Sequence, residues 1–267
     1  MPEGHTIHRL ARDLGRRFVG EPVRTVSPQG RFATGAAVVD GAVLERTEAH
    51  GKHLFLGFAG RPWVHVHLGL YGKVTLAPGP PPPPRGAVRL RVTGAGSYAD
   101  LRGPAACELV DVGAKRALHA RLGPDPLRRD ADPEAAWTRI SRSRSAVGAL
   151  LLDQRVLSGV GNVYRAEVLF RAGVSPFRPG REVAHATWTG VWDDLVRLMR
   201  AGVRAGRIVT TEPEDRPSGR SRASRAESFY VYERGGLPCR RCGTAISAAV
   251  LGARRIVWCP TCQPGWV

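Results

Sequence analysis

Four cysteines near the C-terminal end of the chain fall into two C-x-x-C pairs. Cys239 and Cys242 form the first, Cys259 and Cys262 the second, with sixteen residues between the pairs. Each C-x-x-C turn sets two thiolates on one side of a tetrahedron, and two such turns complete a closed four-sulfur site for one zinc ion. Four thiolates leave no coordination position for water, so the expected metal is structural and not catalytic. Two disulfides are the competing reading, and they need an oxidising compartment. The N-terminus shows no apolar leader, and no stretch is long and apolar enough to span a membrane. A reducing cytoplasm and no membrane partner are therefore expected. The fifth cysteine, Cys107, lies in Ala105-Ala106-Cys107-Glu108-Leu109 and is expected to be a small buried hydrophobe.

Other chemistry lies at the opposite end. The chain begins Met1-Pro2-Glu3-Gly4, and removal of Met1 is expected before a residue as small as Pro2. Pro2 would then carry a secondary amine. An α-amino group titrates at roughly 7.7–8.0, so a useful fraction is neutral near pH 7 and can attack an electrophilic carbon. Glu3 beside it could serve as general acid or base. Gly159-Val160-Gly161-Asn162 opens a helical pattern, where backbone N–H groups and the Asn162 amide could converge on an anion; an ordinary helix cap at Asn162 reads equally well. Lys52, in Gly51-Lys52-His53, stands at the entry to a strand and by itself is a solvated charge. The sixteen residues between the cysteine pairs suit a β-hairpin that presents Arg254 and Arg255.

Composition favours a polyanionic partner. Forty Lys and Arg stand against 23 Asp and Glu, a formal charge of +17, in a chain whose 43% hydrophobic content can still bury a core. An Arg-, Ala-, Gly- and Pro-rich genome-wide bias accounts for part of that excess. No basic amphipathic helix or lipidation motif points to a membrane surface instead.

These residues need elements to hold them. Residues 1 to about 125 read as mainly β with one N-terminal helix. Ile7, Leu10, Leu14 and Phe18 give helical spacing over Thr6–Phe18. Strand-like runs follow at Val38–Leu44, His53–Phe58, Trp63–Leu68, Val74–Leu76, Val88–Val92 and Cys107–Val112, as in a sandwich or barrel. Pro78–Pro84 predicts a solvated polyproline loop, and Leu122–Leu127 an interdomain break. The period then becomes helical at Glu134–Ile140, Ala146–Gln154, Val163–Ala172 and Trp188–Ala205. Residues 206 to about 226 are polar and poor in apolar side chains, and predict a mobile loop. Phe229–Tyr232 is expected to resume extended structure.

Taken in order, several short motifs match one known arrangement. They are Met-Pro-Glu-Gly at the start, Gly-Lys-His-Leu at 51–54, His-Leu-Gly-Leu-Tyr-Gly at 67–72, Leu-Gly-Pro-Asp-Pro-Leu at 122–127 and Gly-Val-Gly-Asn-Val-Tyr-Arg-Ala-Glu at 159–167, closed by Arg254-Arg255-Ile256-Val257-Trp258-Cys259-Pro260-Thr261-Cys262-Gln263. Nearly end to end, the chain resembles the formamidopyrimidine-DNA glycosylase/endonuclease VIII family, and looks nearer an actinobacterial endonuclease VIII type. The resemblance implies an α+β multidomain fold. Residues 1–125 would form a catalytic β-sandwich with a flanking helix, 126–226 a helix–two-turn–helix domain with the mobile loop, and 227–267 the zinc-finger β-hairpin, with DNA between the lobes.

It also implies roles. Pro2 would attack C1′ of a damaged nucleotide and form a Schiff base, Glu3 would assist base release, and Lys52 would hold phosphate near the lesion. Asn162 and Arg254 would grip flanking phosphates; Arg254 stands five residues before the third cysteine, as the family arginine does. Leu70 and Tyr71 would fill the gap left by a flipped nucleotide. The implied activity is a bifunctional glycosylase and AP lyase for oxidised pyrimidines, with β,δ-elimination, acting as a monomer on damaged DNA at the bacterial nucleoid. Glycosylase action on oxidised purines and a non-catalytic zinc-dependent DNA-binding protein are the alternatives. Gly69 stands where endonuclease VIII commonly carries a polar wedge residue, and the segment 100–105 lacks the Arg-x-Phe used on oxidised purines.

Overall fold

The computed structural model describes residues 2–265, so Met1 and the last two residues of the expected zinc-finger segment lie outside the described residues. The chain divides into two compact units, 1–121 and 122–267.

In the first unit, α1 (Gly4–Phe18) buries Ile7, Ala11, Leu14 and Phe18, an apolar stripe at three- and four-residue intervals. Arg16 and Arg17 fill its last turn, where the carbonyl end of the helix favours cations. Two four-stranded antiparallel sheets complete the unit. One orders β1 (Arg24–Val26), β6 (Val88–Thr93), β7 (Ser97–Arg102) and β5 (Lys73–Pro78) side by side; the other orders β2 (Leu44–His50), β3 (His53–Phe58), β4 (Trp63–His67) and β8 (Ala106–Val110). Leu54, Leu56 and Phe58 of β3 and Val64 and Val66 of β4 share one apolar cluster with Leu90, Val92, Ala99 and Leu101 of the other sheet. This is the interior of the sandwich.

The alternate residues of β3 and β4 face the other way, and that face is covered too. α3 (Val112–Arg121) lays His119 edge-on to Phe55, ring centres 5.0 Å apart, and sets the Lys115 ammonium 3.5 Å from the centre of the Trp63 ring. With both faces covered, β3 is buried along nearly its whole length.

Two expectations for this unit fail, and one strand was not foreseen. Val38–Leu44 is not one strand: Ala33–Val39 is a helix, α2, and β2 begins only at Leu44. The Asp40–Gly41 turn separates two apolar runs that read as one, and Gly41 adopts a left-handed φ of 71° there. The unforeseen strand is β7; Ala99 and Leu101 face the sandwich interior, and the alternate Asp100 faces away from it. The structure buries Asp100 to 1% exposure against Arg91 and Arg102, at 2.7 Å each. Finally, Val112 ends no strand. It opens α3, which has no fully buried residue and so no strong apolar period to announce it.

The second unit packs α4 (Pro133–Ile140), the single turn α5 (Val147–Leu150), α6 (Asn162–Arg171) and α7 (His185–Ala205) around one core. Asp132 caps α4 by accepting from Glu134 N at 2.9 Å, with Pro133 pre-set for the first turn. α7 stops at Gly206, left-handed at φ 71°. The helix expected over Ala146–Gln154 shrinks to α5, because Gln154 turns its amide back to Leu152 O and Val160 O, both at 2.9 Å.

α6 is buried on all sides. Tyr164, Val168 and Leu169 join the helical core, whereas Ala166 and Phe170 join a second cluster with Tyr230, Ile256, Val257 and Trp258. Between these faces lies Glu167, fully buried. Its carboxylate accepts the backbone N–H groups of Tyr230 and Val231 at 2.8 Å each and of Tyr232 at 2.7 Å, and the Thr210 hydroxyl as well. Phe229–Tyr232 is therefore a turn wrapped on a carboxylate and not the extended segment expected. Residues 206–226 contain no strand; Arg216 reaches the carbonyls of Arg220 and Ser221 at 2.7 and 2.8 Å, and Glu227 accepts from Ser218 N and Ser224 N at 3.0 Å each.

Glu167→Ala strands three backbone donors, while the Thr210 hydroxyl keeps Ser228 O at 3.1 Å. Each stranded donor costs about 1–3 kcal/mol, so the second unit should lose at least about 3 kcal/mol. Urea unfolding followed by tryptophan fluorescence measures it, and an unmoved midpoint would show that the donors find other partners.

Candidate catalytic terminus and metal centre

Pro2 is half-buried and Glu3 fully buried, immediately before α1. Glu3 is extended, at φ −119° and ψ 177°, and its carbonyl accepts from Thr6 N at 2.9 Å, so the terminal segment enters the helix in a fixed direction. Next to it, burial is the main cause that pulls His5 down to about 4, and the ring stays neutral at pH 7.

α1 packs across the β2–β3 hairpin: Thr47 of β2 donates to Ala11 O at 2.6 Å. Lys52 lies in that hairpin's two-residue turn. His50 pairs with His53 across it, and Gly51 supplies the left-handed φ of 56°. Lys52 is near enough to help lower the pKa of His67, after burial and His65.

Leu70 and Tyr71 occupy the turn between β4 and β5, 49% and 88% exposed. They are not core side chains. Their turn is nevertheless braced. Gly72 N bonds Leu68 O at 3.0 Å, and Gly69 N bonds His67 Nδ1 at 3.2 Å. Gly69 sits at φ 65°, and a Cβ there would meet Ala105 Cβ at 2.8 Å. The glycine that departs from the endonuclease VIII pattern is therefore demanded by the backbone and by its neighbour.

In the second unit Asn162 opens α6, but its side chain does not cap the helix; Gly161 holds the capping position. Asn162 Nδ2 donates to Arg255 O at 2.9 Å. Arg165, fully buried, binds Asn162 Oδ1, Arg255 O at 3.2 Å and Gly148 O at 3.1 Å. The turn before α6 is thus fixed to β10 (Arg254–Trp258), whose first residue, the exposed Arg254, pairs with Leu251 of β9 (Ser247–Leu251). Gly252 and Ala253 close this hairpin, both left-handed at φ 60° and 57°.

The four cysteine sulfurs lie within 4.8 Å of one another. A tetrahedron with metal–sulfur bonds of about 2.3 Å has edges of about 3.8 Å. Cys239 to Cys262 is 3.9 Å and Cys242 to Cys259 is 3.4 Å, far beyond a disulfide bond. Arg241 N and Cys262 N each donate to a cysteine sulfur at 3.4 Å. Hydrogen bonding from Thr244 draws Cys242 down to about 6, while burial pushes Cys259 and Cys262 up. Four thiolates this close need a cation to ionise together, and the donor set fits zinc. Bound there, zinc supplies structure and no reactive position. Cys107 is half-buried in β8, not fully buried as expected, and burial pushes its thiol up to about 12.

Sequence reasoning missed Arg165, Glu167 and a string of histidines, His53, His65 and His67. A signal existed for Glu167: it is the lone acid in an otherwise apolar stretch, Val163–Phe170, apart from Arg165.

A sandwich preceded by a short Pro-Glu terminus, a helical unit opening on Gly-Asn, and a four-thiolate hairpin define a class of zinc-stapled DNA glycosylases. Comparison narrows it. Residues 1–107 match the formamidopyrimidine-DNA glycosylase N-terminal domain, 122–213 the formamidopyrimidine-DNA glycosylase H2TH domain, and 236–265 the zinc finger found in FPG and IleRS. The chain is 52% identical to Endonuclease 8 1 of Mycobacterium bovis, covering 98% of this chain and 100% of that protein. It is 32% identical to the DNA-(apurinic or apyrimidinic site) lyase Nei2 of Mycolicibacterium smegmatis, covering 98% and 99%. In fold it resembles Lactococcus lactis Fpg, solved with abasic-site DNA, at a TM-score of 0.81 and 21% identity, over 98% of this chain and 100% of that one. The chain belongs to the formamidopyrimidine-DNA glycosylase/endonuclease VIII family, the glycosylase/AP lyases of base excision repair. Among the described residues, no helix is long and apolar enough to cross a membrane.

Cys242→Ser should lose the bound zinc and, with it, the β9–β10 hairpin, because hairpin folding is coupled to metal binding. Metal analysis and circular dichroism test this; a full zinc complement in the variant would reject Cys242 as a ligand.

Proposed function

We propose that this glycosylase/AP lyase excises oxidised bases, pyrimidines in preference, from damaged DNA, through a Schiff base at Pro2. The observation that carries this reading is the half-buried Pro2 set against the fully buried Glu3. Once Met1 is removed, the Pro2 nitrogen attacks C1′ of the flipped nucleotide as the base leaves with a proton from the protein. The resulting iminium acidifies the C2′ protons. Loss of one expels the 3′ phosphate, and a second elimination expels the 5′ phosphate. Glu3 handles the proton of base release, and Lys52 holds a phosphate beside the sugar.

Residues 1–125 would carry this chemistry. Residues 126–226 and the zinc finger, 227–267, would hold the strand. An amide nitrogen carries two hydrogens. Asn162 uses one on Arg255 O, and the other, with the N–H groups opening α6, would bind a phosphate. Arg254 would bind another from the tip of its hairpin. Leu70 and Tyr71, exposed on a braced turn, would enter the stack in place of the flipped base. Flipping costs a few kcal/mol, which these contacts offset. The pyrimidine preference is supported by the connection from β7 to β8. It spans only residues 103–105, too short to project a reading loop. The enzyme would act as a monomer in the cytoplasm, on the nucleoid.

Borohydride reduction in the presence of abasic DNA should leave a covalent adduct that Pro2→Gly weakens and that retention of Met1 abolishes. Glu3→Gln should abolish base excision while retaining cleavage of preformed abasic sites; equal loss of both would contradict its role. Thymine glycol and dihydrouracil should be excised faster than 8-oxoguanine, and the reverse order would assign oxidised purines.

Arg254→Ala should weaken DNA binding and reduce the slope of log affinity against log salt by about 1, since one phosphate contact is lost. Binding isotherms across a salt series test it, and an unchanged slope would remove Arg254 from the interface.

A further inference from the structure

The face of the second sheet that lies under α3 is lined with histidines. Of eight in the chain, five gather there: His50, His53, His65, His67 and His119. Their ligand atoms do not converge as the four cysteines do. Instead, three groups form a line. His53 Nδ1 lies 2.8 Å from His65 Nε2, and His65 Nδ1 lies 2.9 Å from Glu108 Oε1. In the register of β3, β4 and β8, His65 lies directly opposite Glu108, and His53, opposite His67, reaches His65 diagonally.

We propose that Glu108, His65 and His53 are a proton relay between solvent and the catalytic centre at Lys52, with His53 Nε2 as the inner terminus. The proposal rests on the reading of Pro2, Glu3 and Lys52 given above. Its two ends differ as a relay requires. The Glu108 side chain is 57% exposed, whereas that of His65 is 4% exposed. His53 adjoins Lys52 in sequence at the hairpin turn, and its ring centre lies 5.0 Å from that of His67, whose pKa Lys52 helps to lower.

The carboxylate fixes the tautomers. An ionised Glu108 can only accept, so His65 Nδ1 carries the hydrogen and Nε2 is bare. His53 Nδ1 must then donate to that bare nitrogen, which leaves His53 Nε2 with a lone pair. A proton arriving at His53 Nε2 forms a bond there. The Nδ1–H bond of His53 breaks toward His65 Nε2, and the Nδ1–H bond of His65 breaks toward Glu108, which releases a proton to water. Both rings are left as Nε2–H tautomers. A proton entering at Glu108 and moving inward restores them and delivers one proton to the centre. The relay thus alternates one proton out with one in. The proposed reaction has both needs: C2′ sheds a proton, and the departing base takes one.

Burial, reinforced by His65, His67, His50 and His119, pushes His53 down to about 3. The His53 ring therefore passes a proton without storing charge. The surrounding charges agree. On α3, Lys115 faces the cluster but is held by Glu48 of β2 at 2.5 Å, and Lys52 at the turn further disfavours cationic imidazole.

Glu108→Gln separates proton transfer from structure. The carboxamide oxygen still accepts from His65 Nδ1, but it cannot take up a proton. With the full-length, Met1-processed enzyme on preformed abasic DNA, single-turnover elimination should slow about tenfold, at the low end of acid–base contributions. The borohydride-trapped fraction should not change, the acid limb of the pH–rate profile should disappear, and Glu108→Asp should recover most of the rate. Long-range 1H–15N spectra should show His53 and His65 both as Nδ1–H tautomers. A Glu108→Gln rate and pH profile equal to the parent, with normal trapping, overturns the relay alone, as do Nε2–H tautomers at either ring. No trapped adduct from the parent enzyme overturns the Pro2 reading and the relay with it.

Discussion

A single buried carboxylate organises the second unit. The Glu167 carboxylate accepts three backbone N–H groups and a hydroxyl, and Arg234 lies near enough to feel its charge. Backbone donors serve well here, because they are fixed in place by the chain and cost little ordering. The arrangement binds α6 to the turn that leads into the zinc hairpin. Arg165, on the same helix, binds that helix's own first residue and the carbonyl of Arg255. Two charged side chains, two residues apart, thus fasten α6 to the turn at 230–232 and to β10. Asn162 is thereby tied to β10 through the Arg255 carbonyl, next to Arg254. The phosphate grip proposed for Asn162 and Arg254 would use this tie, since it would hold two points of one strand at once.

The zinc site and Glu167 divide the labour. The zinc finger is small, and its own apolar cluster is shared with Phe170 and Ala166 of α6. Metal ligation fixes the two cysteine turns relative to each other. It does nothing to orient the hairpin on the helices. Gln263 adds to that orientation: it accepts from Cys259 N at 3.0 Å and donates to Val174 O at 2.8 Å. Metal, carboxylate and amide therefore act on three different degrees of freedom, and loss of one is not made good by the others.

How much of this the sequence disclosed depended on the kind of signal. The cysteine spacing is local and chemically exclusive, so the metal centre was legible without a fold. The helices of the second unit were legible because their apolar residues repeat with the helical period. In the first unit the same reasoning faltered where burial and polarity part company. β7 keeps the alternation, with Ala99 and Leu101 inward, but buries the acid Asp100 on its opposite face, where two arginine partners, one on β6, make that burial tolerable. α3 covers the sheet with His119 and Lys115 in place of leucines. The histidine line was invisible for a related reason. His53, His65 and Glu108 are far apart in the chain, and only the register of three strands brings them within hydrogen-bonding distance.

The turn at 68–72 illustrates a constraint that outranks family pattern. Its two outer side chains, Leu70 and Tyr71, are exposed to an extent that ordinary folding would avoid for a pair of large apolar groups. Their neighbours leave no freedom. Gly72 cannot carry a side chain, since a Cβ would come within 2.2 Å of Leu68 O, and Gly69 is closed off by Ala105. Ala105 in turn is fixed by its N–H, which donates to His67 O at 2.9 Å. A polar residue at position 69 would thus require the 103–105 connection to move. The short connection and the glycine belong together: what the turn gives up in side chains at its base, it gains in rigidity under the two residues at its tip. Were Leu70 and Tyr71 to act as the wedge proposed above, the close packing of Gly72 on Leu68 O and of Gly69 on Ala105 would be its support.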